Sequence, residues 1–275
     1  MLFSSLFFHV FVATAVLAVP TTGEQGAHQA AGTDRAQPAQ VAPVATVATV
    51  PAASAIEQDV NTDDWAGVAL TFGSGSVVES VTGTFAVPVP NAPPGGDDHE
   101  VYESAAWLGI DGYTCPSALL RTGVVFIRAN GVVTANAWYE WFPNIPRTYY
   151  DITVAPGDVI TATVTAETPQ SAVVSIINNS TGQQASVTLG GAEYASLCLE
   201  SGEWIVGDPS KPNGEGGLLP LPDFGTVTFS GAFASVEYTP GTNPTTNILN
   251  IVQNQAPLTS VTTKSDIVTV EYIGK

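Results

Sequence analysis

The chain has 275 residues, with 7 Lys+Arg against 25 Asp+Glu and a formal net charge of −18. Seven scattered cations make no basic stripe, which excludes a phosphate backbone or an anionic membrane surface as partner. Hydrophobic residues make up 44% of the chain and charged residues 12%, enough apolar material to bury a core and too much for a wholly disordered chain.

Residues 2–19 form an apolar run centred on Leu6, Phe7, Phe8, Val10, Phe11 and Val12. The run is too short to span a bilayer, and small residues up to Ala18 suit a cleavage site. Residues 1–18 therefore read as a secretory signal peptide, and the mature protein is expected outside the cell and free of the membrane. Residues 19–62 are dominated by Ala, Val, Pro, Gln and Thr and hold no aromatic residue, the composition of a flexible linker or propeptide. Residues 63–275 remain as one folded domain.

From Trp65 onward, apolar and polar residues alternate with period two. Ile160, Ala162 and Val164 alternate with threonines, as do Val227 and Phe229, and Val268 and Val270. Turn residues separate these runs at Asn130-Gly131, Pro156-Gly157-Asp158, Thr181-Gly182 and Pro240-Gly241. Many short strands with turn chemistry between them predict an all-β sandwich or barrel. Cys115 and Cys198 are the two cysteines, and an even pair in a secreted chain reads as a disulfide. Two cysteines cannot make a structural zinc site. His99 is the one histidine within the domain and sits in a Gly-Asp loop that reads as solvated surface, so Ser/His/Asp and Cys/His chemistry lack their parts. No metal or cofactor is expected. Asn178 and Asn179 head two overlapping glycosylation sequons beside a Gly turn.

Four segments, in order, resemble the eqolisin family of fungal glutamic peptidases: Asp64-Trp65-Ala66-Gly67, the run from Ala106 to Cys115, Trp138-Tyr139-Glu140-Trp141-Phe142-Pro143, and Glu203-Trp204-Ile205-Val206-Gly207-Asp208. The resemblance covers about Asp64 to Tyr272. It implies a concanavalin-like β-sandwich of two antiparallel sheets, about seven strands each, with a concave groove for peptide. It also implies a Cys115–Cys198 disulfide, and places Trp65, Trp107, Asp111 and Glu140 in or beside the groove. The family's catalysis rests on a Gln, which helps hold the oxyanion, and a Glu, the general base that activates water. The Gln stands in the pattern Ile-Leu-Gln-Thr-Gly, which reads Leu119-Leu120-Arg121-Thr122-Gly123 here. The Glu falls on Gly207, and a family Asp falls on Val125.

Gly207 has no side chain to act as a base, and Arg121 cannot accept a proton. Asp208 is adjacent to Gly207, but consecutive strand residues point to opposite faces. Glu203 shares a face with Gly207 yet lies roughly 13 Å away along the strand. Arg121 is expected to face the groove and pair with Glu140 or Asp111. The resemblance thus implies a monomeric, secreted protein that binds a peptide or protein segment without hydrolysing it. Two alternatives stand beside it. One is an acid endopeptidase using Glu140 or Asp111 as a displaced carboxylate. The other is a carbohydrate-binding or glycoside-cleaving sandwich, which would need Asp111 and Glu140 about 5–10 Å apart across the groove.

Overall fold

A computed structural model describes residues 45–49, 56–209, 218–239 and 243–275. The signal-peptide reading lies outside these residues, as does most of the expected linker. Among these described residues seventeen strands follow in chain order. They are β1 (Ala45–Thr49), β2 (Ile56–Thr62), β3 (Trp65–Thr71), β4 (Val77–Ala86), β5 (Val101–Asp111), β6 (Leu119–Ala129), β7 (Val132–Phe142), β8 (Arg147–Thr148) and β9 (Val159–Thr168). The chain continues through β10 (Ser171–Asn178), β11 (Gln183–Gly190), β12 (Ser201–Gly207), β13 (Thr226–Glu237), β14 (Thr245–Gln253), β15 (Ala256–Pro257), β16 (Thr259–Lys264) and β17 (Ile267–Tyr272). No helix occurs among the described residues.

These strands form two sheets. One has eight strands in the order β11-β10-β9-β4-β13-β17-β16, with β1 also paired to β13. The other has nine in the order β15-β14-β3-β12-β5-β6-β7-β8, with β2 paired to β14. All pairings are antiparallel except β2 with β14. The sandwich matches the expected fold class. Its extra strands come in part from β1 and β2, within the segment that composition assigned to a flexible linker. Composition misses Ile56–Thr62 because a mostly exposed strand needs little apolar surface when an existing edge supplies its hydrogen bonds.

Period-two alternation decides what each residue meets. In the nine-stranded sheet, Leu108, Ile110, Leu120, Phe126, Trp141, Trp204 and Val206 face the other sheet and join its Val81, Phe85, Ile160, Phe229 and Val268 in the main core. Trp204 donates from its indole nitrogen to the carbonyl of Thr82, 2.9 Å away in the opposite sheet. The other face of the nine-stranded sheet carries a second apolar cluster built on Trp107, Leu119, Trp138 and Ile205. The hairpin between β6 and β7 closes through Asn130 (φ 51°) and Gly131 (φ 76°), the two left-handed residues of a tight turn whose twist suits paired strands. That turn fixes the register, pairing Arg121 with Glu140 and Gly123 with Trp138.

Cys115 and Cys198 form a disulfide across 83 residues of sequence. It ties the loop after β5 to the segment entering β12. Replacing both cysteines with serine is expected to lower the unfolding free energy by about 2–5 kcal/mol, as for a long closed loop. Urea denaturation of the oxidised protein and the variant measures it, and a difference under about 1 kcal/mol would show that the bridge constrains little.

Candidate functional site

Three neighbouring strands meet around Gly123. Trp107 on β5 and Trp138 on β7 both stand opposite it in register. A β-carbon on Gly123 would lie 2.7 Å from Trp107 Cβ, so the position must be bare. The room between the two indoles is filled from the next position on that face. The Arg121 guanidinium carbon lies 4.9 Å from the Trp107 ring centre and 5.0 Å from that of Trp138. Glu140, the register partner of Arg121, fixes it in place: Nε donates to Oε2 at 2.7 Å, and Nη2 stands 2.6 Å from the same oxygen. The two side chains are 24% and 9% exposed. A cation held between two ring faces and against a largely desolvated carboxylate has one position, and removing either charge strands the other.

This cluster forms part of the wall of a cavity of about 580 Å³ on the face turned away from the other sheet. Trp65, Asp64, Gly207, Asp208 and Arg147 line it as well. Trp65 packs edge-on against Trp107, with ring centres 5.0 Å apart. Gly207 closes β12, its carbonyl accepting from Ser104 Oγ at 2.8 Å. A β-carbon there would point toward Trp107 Nε1 at 3.0 Å. At Gly207 the cavity wall is therefore bare backbone.

The structure redistributes several expected residues. Asp111 does not line the cavity. It ends β5 at φ 68°, fully buried, and its carboxylate accepts backbone N–H groups from Cys198, Leu199 and Glu200 at 2.7–2.9 Å. It is the anchor of the turn before β12, and the Asp111–Glu140 pair that a glycosidase would need does not face one space. Asp208, set aside on strand alternation, does line the cavity. Alternation stops applying because β12 ends at Gly207. Beyond it, the Asp208 amide donates to the Asp64 carbonyl at 2.7 Å, bringing both acids to the cavity's end. Asn178 is no surface sequon: it is fully buried, and its side-chain nitrogen donates to Thr153 O and Asp158 Oδ2. Asn179 is exposed. His99 is exposed in its loop.

Comparison with known proteins places this geometry. The Peptidase A4 family pattern matches residues 63–272. The chain belongs to this family. Aspergillopepsin-2 of Aspergillus niger is 33% identical over 291 residues, covering 99% of this chain and 100% of that one. The crystal structure of scytalido-glutamic peptidase with a transition state analog inhibitor superposes with a TM-score of 0.65 at 29% identity, covering 77% of this chain and 98% of that one. SCP-B, a member of the eqolisin family in complex with the tripeptide Ala-Ile-His, superposes at 0.62 with 28% identity, covering 77% and 98%.

Five carboxyl groups in this A4-family chain are pushed toward their neutral form. Burial raises Asp208 to about 7, with the Asp64 charge adding and the Gln253 hydrogen bond opposing. Its Oδ2 accepts from Gln253 Nε2 at 2.7 Å, while Oδ1 is buried without a partner among the described residues. Burial also raises Glu103, and burial with the Asp63 charge raises Asp64 despite Arg121. Burial raises Asp111 against its three amide donors. Glu203, fully buried on the face that carries Trp107, lies well above the usual carboxylate range. Ser201 and the Tyr113 backbone only partly offset its burial.

An acid whose folded pKa is raised holds its proton in the fold after the unfolded chain has released it. Stability is then full below the unfolded pKa and falls as pH rises through the folded one. For Asp208 that window runs from 3.8 to about 7, and its full ionisation costs at most about 4 kcal/mol. The melting temperature is expected to fall from about pH 4 to about pH 8. Asp208→Asn should flatten the fall below about pH 7, and Glu203→Gln should raise stability at neutral pH. Calorimetric scans across this range check it, and a melting temperature that rises with pH would contradict it.

Proposed function

We propose that this chain is a secreted eqolisin-family protein that seats a peptide or protein segment in its cavity without the family's hydrolytic step. The observation that carries the reading is the centre of the cavity. The position that the motif pattern assigns to the oxyanion-holding Gln is Arg121, locked between Trp107 and Trp138 and paired with Glu140. The position assigned to the base is Gly207, which brings no side chain to the cavity it lines. An aromatic-walled cavity of about 580 Å³ suits a few residues of extended chain. Loss of a general base costs about 10²–10⁴ in rate, and loss of an oxyanion donor about 10²–10³. Export is supported by the apolar run at residues 2–19 and by the disulfide, a bond of oxidising compartments. Asn179 is the accessible candidate for glycosylation.

A second reading, an endopeptidase with a displaced carboxylate, is favoured by one observation: Asp208 lines the same cavity, and with its pKa raised to about 7 it becomes a base toward neutral pH. Glu140 and Asp111 suit it less well. Glu140 is held by Arg121, and Asp111 is spent on three amides.

Incubation of the purified protein with a denatured protein substrate at about pH 3–4 separates the readings. The unmodified chain is expected to leave the substrate intact. The double change Arg121→Gln with Gly207→Glu should bring back measurable cleavage, and each single change much less. Gly207 has no left-handed backbone angle, and a β-carbon needs only a small shift of Trp107, so the variant is expected to fold. Circular dichroism checks that it does. Robust cleavage by the unmodified chain in a parallel incubation at about pH 7, abolished by Asp208→Asn, would favour the displaced-carboxylate reading instead.

A further inference from the structure

Hydrogen-bond donors without protein acceptors line the cavity onto which Gly207 opens. Trp107 Nε1, which a β-carbon on Gly207 would approach to 3.0 Å, makes no hydrogen bond among the described residues. Arg121 spends Nε and Nη2 on Glu140, and its Nη1 has no partner there. Trp138 Nε1 is buried and unpartnered in a residue only 9% exposed. Buried donors are nearly always satisfied in folded proteins, and Trp138 Nε1 breaks that rule; with the Trp107 Nε1 and Arg121 Nη1 donors it makes a cavity wall that suits an acceptor arriving from outside.

Charge points the same way. Arg121 and Arg147 are two of only seven Lys and Arg residues in the chain, yet both line this one cavity. Glu140 offsets Arg121, while Arg147 is exposed and makes no ion pair among the described residues. The remaining acids of the wall are Asp64, Asp208 and Glu103, all shifted by burial toward neutrality. As pH falls and these acids take up protons, the charge of the cavity wall becomes more positive.

We propose that the cavity centre is a carboxylate site: the free C-terminal carboxylate of a bound peptide sits in the space over Gly207, held by Arg121 and the Trp107 indole N–H, with Arg147 at the rim. This rests on the peptide-binding reading above and names the end of the peptide that the centre selects. A guanidinium fixed by two ring faces and a carboxylate is a pre-organised donor, so little entropy is lost when the ligand docks. A glutamate at position 207 would repel a carboxylate, and glycine removes that repulsion. Binding tightens at lower pH, because ionisation of Asp64, Asp208 and Glu103 adds negative charge to the same wall.

The test is isothermal titration at about pH 5 with three peptides. These are acetyl-Ala-Phe-Ala-Leu with a free C-terminal carboxyl, its C-terminal amide, and the amide with Glu in the last place. The free acid is expected to bind about tenfold or more tighter than its amide and to weaken toward about pH 8. Arg121→Met should erase the preference. Because that change leaves Glu140 unpaired, the double variant Arg121→Met with Glu140→Met serves where the single one does not fold. Arg147→Gln should reduce the preference a few-fold. In parallel, sodium acetate is titrated against sodium chloride while the Trp107 indole N–H resonance is followed by NMR. Acetate, and not chloride, is expected to move it. Equal binding of acid and amide with no acetate effect would overturn the carboxylate site and leave the peptide reading standing. An acetate shift with no binding of any peptide would keep the site and overturn the peptide reading. A Glu amide that binds as tightly as the free acid would overturn the C-terminal assignment in favour of a side-chain carboxylate.

Discussion

The pairing of Arg121 with Glu140 across β6 and β7 is the interaction on which the arrangement of the cavity depends. A guanidinium largely out of water needs a fixed counter-charge, and the strand register supplies it directly opposite. It also needs room, and Gly123 supplies that by leaving the gap between Trp107 and Trp138 empty. These five residues are mutually conditional. A side chain at Gly123 would push Trp107 away, and without the two indoles the guanidinium would extend into solvent. On the opposite face of β6 the same strand is pinned by Thr122, whose hydroxyl donates to Trp138 O and meets the Tyr149 hydroxyl. The position of Arg121 is thus set from both faces of the sheet.

Much of this was legible in the sequence, because alternation is a strict rule inside a strand. The sequence of β7 assigns Trp138 and Glu140 to one face and Tyr139 and Trp141 to the other, and the structure divides them so between cavity and core. The rule fails where strands end. Asp208 was set aside as pointing the wrong way, but it lies one residue past β12, where its backbone is governed by the Asp64 carbonyl instead. Asp111 was expected beside the groove, but as the last residue of β5 it turns through a left-handed conformation and caps three amides. Neither event leaves a signal in periodicity. The tight turn of Asn130-Gly131 was legible for the opposite reason: its chemistry is local.

Asn178 and Ile56–Thr62 fail differently. A sequon states only that three residues stand in order, while burial of Asn178 follows from its capping of the turn after β10, where its side-chain oxygen accepts from Ser180 N and Thr181 N. The polar sequence of β2 carries no strand pattern of its own. Its conformation is imposed by the free edge of β14, a long-range partner nearly two hundred positions along the chain. Local composition measures what a segment can bury and is blind to what it can complete.

Acidity and fold are linked through the same burial. With 25 Asp and Glu and few cations, the chain cannot neutralise its interior carboxyls by ion pairing. It holds them as neutral acids or ties them to backbone amides, as Glu203 and Asp111 illustrate. This strategy costs little in acidic solution and more as pH rises, the reverse of a fold built on salt bridges. It also shapes the cavity. The ion pair in the cavity wall, Arg121–Glu140, stands among carboxyls whose charge depends on the medium, so the field at the centre is set jointly by a fixed cation and by titrating neighbours. On the proposed reading, exchanging a base for glycine and a neutral amide for arginine does more than remove catalysis. It changes the sign of the centre from one that expels a newly formed carboxylate to one that retains it, with the aromatic walls and the strand register left as they were.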